Sequence, residues 1–165
     1  MKTVAVVYGT RPEAIKLAPV IVELRKNRNI RTTVICSGQH KEMLEGIMEL
    51  WDLAPDVSID YNFDSGRSSA IPGLMIELEK EFLKLSPDFV LVQGDTATAT
   101  AAALQAHALH TPVGHVEAGL RSGDLWNPWP EEANRRVIDA ISSLHFAPTK
   151  LSAKNLENEG YGVTT

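Results

Sequence analysis

Four short runs constrain the fold of this chain more than anything else in it: Val4-Ala5-Val6-Val7-Tyr8, Thr32-Thr33-Val34-Ile35-Cys36, Phe89-Val90-Leu91-Val92 and Pro112-Val113-Gly114-His115-Val116. They are mostly apolar with little alternation, and helical periodicity separates each from the next. A strand that is apolar on both sides must be covered on both faces, as in parallel sheets whose crossovers are helices. Val57-Ser58-Ile59-Asp60-Tyr61 alternates apolar with polar and reads as a shorter strand near a sheet edge, and Leu144-His145-Phe146-Ala147 as a last short strand. The expected architecture is α/β: an open, doubly wound parallel sheet of the Rossmann type.

The connecting helices have their own signals. Pro12 suits the first helical position, and Ile15, Ala18, Ile21 and Val22 share a face that Leu17, Val20 and Leu24 widen. Ser37-Gly38-Gln39-His40 turns into a helix carrying Met43, Leu44, Ile47, Leu50 and Trp51, and Asp64 to Ser69 reads as loop. Ile71, Leu74, Met75, Leu78, Phe82 and Leu85 follow helical spacing. An alanine-rich helix from Ala97 to Leu109 has side chains small enough to lie close to the sheet. Helices are also expected from Glu131 to Ser143 and in a last segment where Leu151 and Leu156 face inward.

A chain of 165 residues with 44% hydrophobic and 22% charged residues makes one domain, 1–165, with a proper core. Its net charge of -5 argues against a nucleic-acid partner, which would need a basic face. The single Cys36 can form neither an internal disulfide nor a cysteine metal cluster, so a reducing, cytoplasmic setting is expected. Met1 to Tyr8 is too short for a membrane span and reads as a core strand.

In doubly wound sheets ligands bind beyond the strand carboxyl ends. Gly9-Thr10-Arg11-Pro12-Glu13, Asp95 and Glu117 all fall there. The first has the ingredients of an anion site: a glycine, backbone N–H groups at a helix start, Arg11, and Lys16 one turn beyond Pro12. The plainer reading is a capped helix with two solvated cations. The lysine-containing phosphate loop and the three-glycine dinucleotide pattern are both missing. Asp95 reads either as a chemical group or as a helix cap, and Glu131 and Glu132 either as acids or as complements to a helix N-terminus. Glu117, directly after an apolar strand, is liable to partial burial, which favours its protonated form and suits it to proton exchange.

From His115 through Glu132 the chain is a long loop rich in charge, and ordered loops of that length are usually functional. His115 is expected to be a hydrogen-bonded structural histidine, since His40, His107, His110 and His145 show no metal-ligand spacing with it. Packing is the default for Trp126 and Trp129.

Gly9 through Pro19, Gly38-Gln39-His40, Gly94-Asp95-Thr96, His115 through Asp124 and Pro128 through Arg135 closely resemble, in order and spacing, the non-hydrolysing UDP-N-acetylglucosamine 2-epimerases, over essentially all 165 residues. The resemblance implies a two-domain, GT-B-type architecture of which this chain is the N-terminal Rossmann-like half, without the C-terminal UDP-binding domain. It implies reversible interconversion of UDP-GlcNAc and UDP-ManNAc through enzyme-bound 2-acetamidoglucal, with no cofactor or metal, in a homodimer serving polysaccharide biosynthesis, and no activity or a very weak one for the isolated half. Carried over residue by residue, it makes Asp95, Glu117 and Glu131 the catalytic carboxylates, and Arg11, Lys16, Asp95 and Glu117 the substrate-binding groups. Which carboxylate acts as base stays open, because environment rather than residue type decides it. Alternatives are a hydrolysing relative, an epimerase of a modified UDP-sugar, a glycosyltransferase, and an inactive binding or dimerisation module. Departures from the family pattern are Ala97 and Ala99, where threonines are more common, and Trp126-Asn127.

Overall fold

A computed structural model of the chain describes residues 1–38, 54–59, 61, 62 and 67–163. The helix expected to carry Met43 to Trp51, and the Gln39-His40 turn before it, lie outside these residues. Among the described residues there are six strands: β1 (Lys2–Tyr8), β2 (Ile30–Cys36), β3 (Val57–Ser58), β4 (Phe89–Gln93), β5 (Val113–Val116) and β6 (Leu144–Phe146). They form one sheet in the order β3-β2-β1-β4-β5-β6, with every neighbouring pair parallel. The described helices are α1 (Arg11–Lys26), α2 (Arg67–Leu85), α3 (Ala97–Ala108), α4 (Glu131–Ile141) and α5 (Lys150–Asn158). The doubly wound parallel sheet expected from the apolar runs is the fold observed.

Strand periodicity divides the core in two. Val4, Val6 and Tyr8 of β1, Val34 and Cys36 of β2 and Leu91 of β4 pack with Ala14, Leu17, Ala18 and Ile21 of α1. Ala5, Val7, Ile35, Val90 and Val92 point the other way and pack with Leu74, Leu78 and Phe82 of α2, Ala99, Ala102, Ala103 and Ala106 of α3, and Ile138 of α4. Successive side chains of a strand point to opposite faces, so each apolar run supplies both layers. Five of the seven alanines of α3 are buried and let the helix approach the sheet closely, as expected. That approach dictates Gly9: a Cβ there would stand 2.3 Å from Thr98 Oγ1 and 2.4 Å from Ser37 Oγ.

Several expectations are corrected. Ile15 is 46% exposed, because the buried stripe of α1 is Ala14, Leu17, Ala18 and Ile21, an i, i+3, i+4, i+7 set that leaves Ile15 about 100° off its centre. Leu156 is buried but Leu151 is 71% exposed; five positions apart, the two lie about 140° around the helix from each other and cannot share one face. Helix α2 begins at Arg67, inside the stretch expected to be loop, and β3 is two residues long. No described helix is long and apolar enough to cross a membrane.

The chain enters at β1 in mid-sheet, winds outward to β3, then restarts at β4 on the other side of β1. Such a reversal opens a crevice beyond the carboxyl ends of the two central strands.

Candidate active site

A cavity of about 300 Å³ occupies that crevice. The turn after β1 supplies Thr10, Glu13 and Lys16; the end of β4 and its turn supply Gln93, Asp95 and Thr96; Glu117 follows β5, and Arg135 reaches in from α4. Two of the three carboxylates expected to do chemistry thus converge, although 22 positions separate them in the chain.

Each is anchored through one oxygen. Lys16 Nζ lies 2.5 Å from Glu117 Oε2, and Gln93 donates its side-chain amide to the same oxygen. Arg135 donates Nε and Nη2 to Asp95 Oδ2 at 2.7 and 2.6 Å. The other oxygen of each carboxylate has no hydrogen-bond partner among the described residues. Both side chains are about a quarter exposed, 23% for Glu117 and 24% for Asp95, so both are open to a ligand.

The backbone beneath them is unusual. Glu117 has φ of 69°, a left-handed conformation that a residue with a long side chain seldom adopts, and such outliers cluster at functional sites. Gly94, just before Asp95, has φ of 73°, where glycine carries no penalty. Asp95 is not the cap of α3. Thr96 is, its hydroxyl accepting the Ala99 N–H at 3.0 Å, which leaves the Asp95 carboxylate to Arg135.

At the start of α1 the turn read either as an anion cradle or as a capped helix carries its own cap. Two of its N–H groups are already taken: the Glu13 carboxylate accepts the Gly9 N–H at 3.1 Å, the Thr10 N–H at 2.7 Å and the Thr10 hydroxyl at 2.6 Å, with the Thr96 hydroxyl at 2.8 Å on its other oxygen. An internal carboxyl group therefore occupies part of the place offered to a ligand's phosphate. Burial pushes the Glu13 carboxyl above its ordinary pKa, against the pull of these four donors. Of the expected cations, Lys16 lies in the cavity, paired with Glu117, and Arg11 is exposed at the first position of α1 with no ion pair among the described residues.

Glu131 opens α4 and is half-buried; it is not among the residues lining the cavity, but it stands one turn before Arg135, on the same side of the helix. Glu132 is fully buried and anchors the long loop. It accepts the Ser122 N–H at 2.9 Å, Arg136 Nε at 3.1 Å and Arg135 Nη1 at 3.4 Å. Burial opposes its charge, yet these donors prevail and hold its pKa below the usual value. Trp126 and Trp129 are 78% and 51% exposed, so they are not packed into this domain's core.

The sequence reading missed Glu13, Gln93, Thr96 and Arg135 as members of the site. Gln93 had a usable signal, a polar residue closing an otherwise apolar strand. Arg135 had a weaker one, its helical spacing from Glu131.

A family model described as UDP-N-acetylglucosamine 2-epimerase matches residues 22–164. The UDP-N-acetylglucosamine 2-epimerase of Neisseria meningitidis is 45% identical over 94% of this chain, which spans 42% of that relative's length. A crystal structure of the Neisseria meningitidis enzyme bound to UDP-GlcNAc superposes with a TM-score of 0.94 at 42% identity, covering 100% of this chain and 46% of that one. The Methanocaldococcus jannaschii enzyme in complex with UDP-GlcNAc and UDP superposes with a TM-score of 0.90 at 41% identity, over 100% of this chain and 46% of that one.

Proposed function

The chain belongs to the UDP-N-acetylglucosamine 2-epimerase family, and from that premise we propose that it serves the reversible interconversion of UDP-GlcNAc and UDP-ManNAc as the N-terminal, carboxylate-bearing half of a two-domain site. A C-terminal half supplies the uridine contacts, and the working unit is a homodimer in the cytoplasm, a setting that the single cysteine fits.

One observation carries this reading: Asp95 and Glu117 meet in one crevice, each with one oxygen anchored by a cation and one without a partner among the described residues. Elimination breaks the C1–O bond to UDP, moves the C2 proton to a carboxylate and leaves a C1–C2 double bond in 2-acetamidoglucal. Re-addition returns a proton to the opposite face of C2 while the UDP oxygen re-forms its bond to C1. A carboxylate on each face of the sugar meets the proton-transfer requirement, and no electron acceptor enters the balance. Asp95 and Glu117 are the proposed proton-transfer groups, with Glu131 as a third acid that the one-turn spacing to Arg135 brings toward the same edge. Because Glu13 takes the Gly9 and Thr10 N–H groups just ahead of α1, charge on the departing diphosphate is met mainly by side chains, with Arg11 and Lys16 as the proposed cations of this half.

In deuterium oxide, the full chain that carries these residues is expected to place deuterium at C2 of UDP-GlcNAc. Glu117→Gln and Asp95→Asn should each slow that exchange by about 100-fold or more. Free ManNAc as the dominant product would indicate a hydrolysing enzyme instead, and sugar transfer to an added acceptor a glycosyltransferase. Undiminished exchange in both variants would remove the two carboxylates from the mechanism.

A further inference from the structure

We propose that His115, backed by Asp139, is a positioning residue that holds the turns bearing Asp95 and Glu117 in fixed relation. The inference rests on the reading that these two carboxylates act on the sugar, and it assigns to the reaction two buried residues that do not line the cavity.

Both side chains are wholly inaccessible. His115 Nδ1 lies 2.5 Å from Asp139 Oδ1, and His115 Nε2 lies 2.7 Å from the Gly94 carbonyl oxygen, one residue before Asp95. The Gly94 N–H in turn donates to the Val116 carbonyl at 3.0 Å, one residue before Glu117. The two peptide groups of Gly94 are therefore gripped by adjacent residues of β5, immediately ahead of Glu117. On the other side, Asp139 Oδ2 accepts the Gly119 N–H at 3.1 Å and Arg121 Nη1 at 2.8 Å, closing the turn that starts at Glu117. Burial works against the Asp139 carboxylate, but His115 and Arg121 hold its pKa below the usual range. Arg121 is paired outward with Glu159 of the region just after α5 at 2.6 Å.

The physical need for such a brace is visible in the backbone. Glu117 sits in a conformation that relaxes unless its surroundings impose it. A proton-transfer group displaced by about 1 Å loses on the order of 100-fold in rate, whatever holds it. Asp139 on α4 and His115 on β5 make one buried link through which both turns are imposed at once, so the separation of the two carboxylates does not depend on the flexibility of either loop.

The test uses the full chain that carries these residues and two substitutions that divide the histidine's contacts. In His115→Gln the amide reaches the place of Nε2 and keeps the Gly94 bond; in His115→Asn it reaches the place of Nδ1 and keeps the Asp139 bond. We expect kcat for C2 deuterium exchange to fall by about 100-fold in His115→Asn with KM within about threefold, and His115→Gln to retain about tenfold more of it than His115→Asn at similar melting temperature. Equal kcat in the two variants, or losses that follow melting temperature alone, would overturn the proposal. Glu117→Gln and Asp95→Asn are run alongside. If those two retain full exchange, the functional reading has failed; if they lose it while His115→Asn does not, the positioning role alone has failed. Should the histidine variants not fold, nitrogen-resolved NMR of the unmodified protein decides: a slowly exchanging proton on His115 Nε2 supports the link to Gly94, and an Nε2 without a proton overturns it.

Discussion

Glu13 illustrates how one residue changes what a motif can do. In the sequence it is the fifth member of a glycine-led turn that offers N–H groups to an anion; in the fold its own carboxylate takes those groups. Its folded pKa lies above the unfolded value because burial outweighs the donors. The sign follows: the protonated form contributes stability that is complete below about pH 4.5 and is lost as pH rises through the folded value. Glu13→Gln cannot ionise, so the stability of the unmodified protein relative to this variant is expected to decline as pH rises above about 4.5 in denaturant titrations. A constant difference would show that the four donors fully offset burial. Among the other rim residues, Thr96 both caps α3 and bonds Glu13, which explains why Asp95 is released for Arg135.

Helices α1 and α5 show that helical spacing identifies an element more reliably than the centre of its buried face, whereas α2 buries the face expected of it. In α2 the expected residues Leu74, Leu78 and Phe82 are the buried ones, whereas Ile76 and Leu83 on the same helix are 57% and 62% exposed. Leu78→Ala is expected to cost about 2 to 5 kcal/mol by removing packed methyl groups and leaving a cavity. Ile76→Ala should stay within about 0.5 kcal/mol, and urea unfolding of the two variants checks the contrast. A large loss at Ile76 would mean that a partner covers this face of α2 in solution. Helix α4 works differently, since its buried residues Glu132, Asn134 and Asp139 are polar. It braces the loop and the β5 turn through hydrogen bonds as well as through Ile138.

Across the whole molecule, two buried carboxylates and an exposed one tie the second half of the chain together. Asp139, Glu132 and Glu159 all titrate below their ordinary values: burial opposes the charge of the first two, Arg121 is the chief cause for Glu159, and charged or N–H donors prevail at each. Depressed carboxylates contribute stability above the unfolded values, near 3.8 for Asp139 and 4.5 for the two glutamates, and it is lost as pH falls through the folded ones. The melting temperature is therefore expected to drop steeply below about pH 4. Asp139→Asn should lower it at pH 7 and flatten the acid limb, and an acid limb unchanged in that variant would assign acid unfolding to other groups.

The fold class and the edge of the sheet that carries the candidate site were legible in the amino-acid order alone, because both depend on local periods: apolar strands with helices between them force a covered parallel sheet, and Gly9, Asp95 and Glu117 stand where those strands stop. Pairings were not legible. Lys16 meets Glu117 across 101 positions and Asp95 meets Arg135 across 40, and nothing in either neighbourhood names its partner. The filling of the expected anion cradle from within was equally a tertiary decision, for a carboxylate three residues into a helix can turn to solvent or inward, and here it turns inward, where Gly9, Thr10 and Thr96 supply its donors. Local sequence sets what each segment can form; where the segments land sets which charges are desolvated together and which are left free to act.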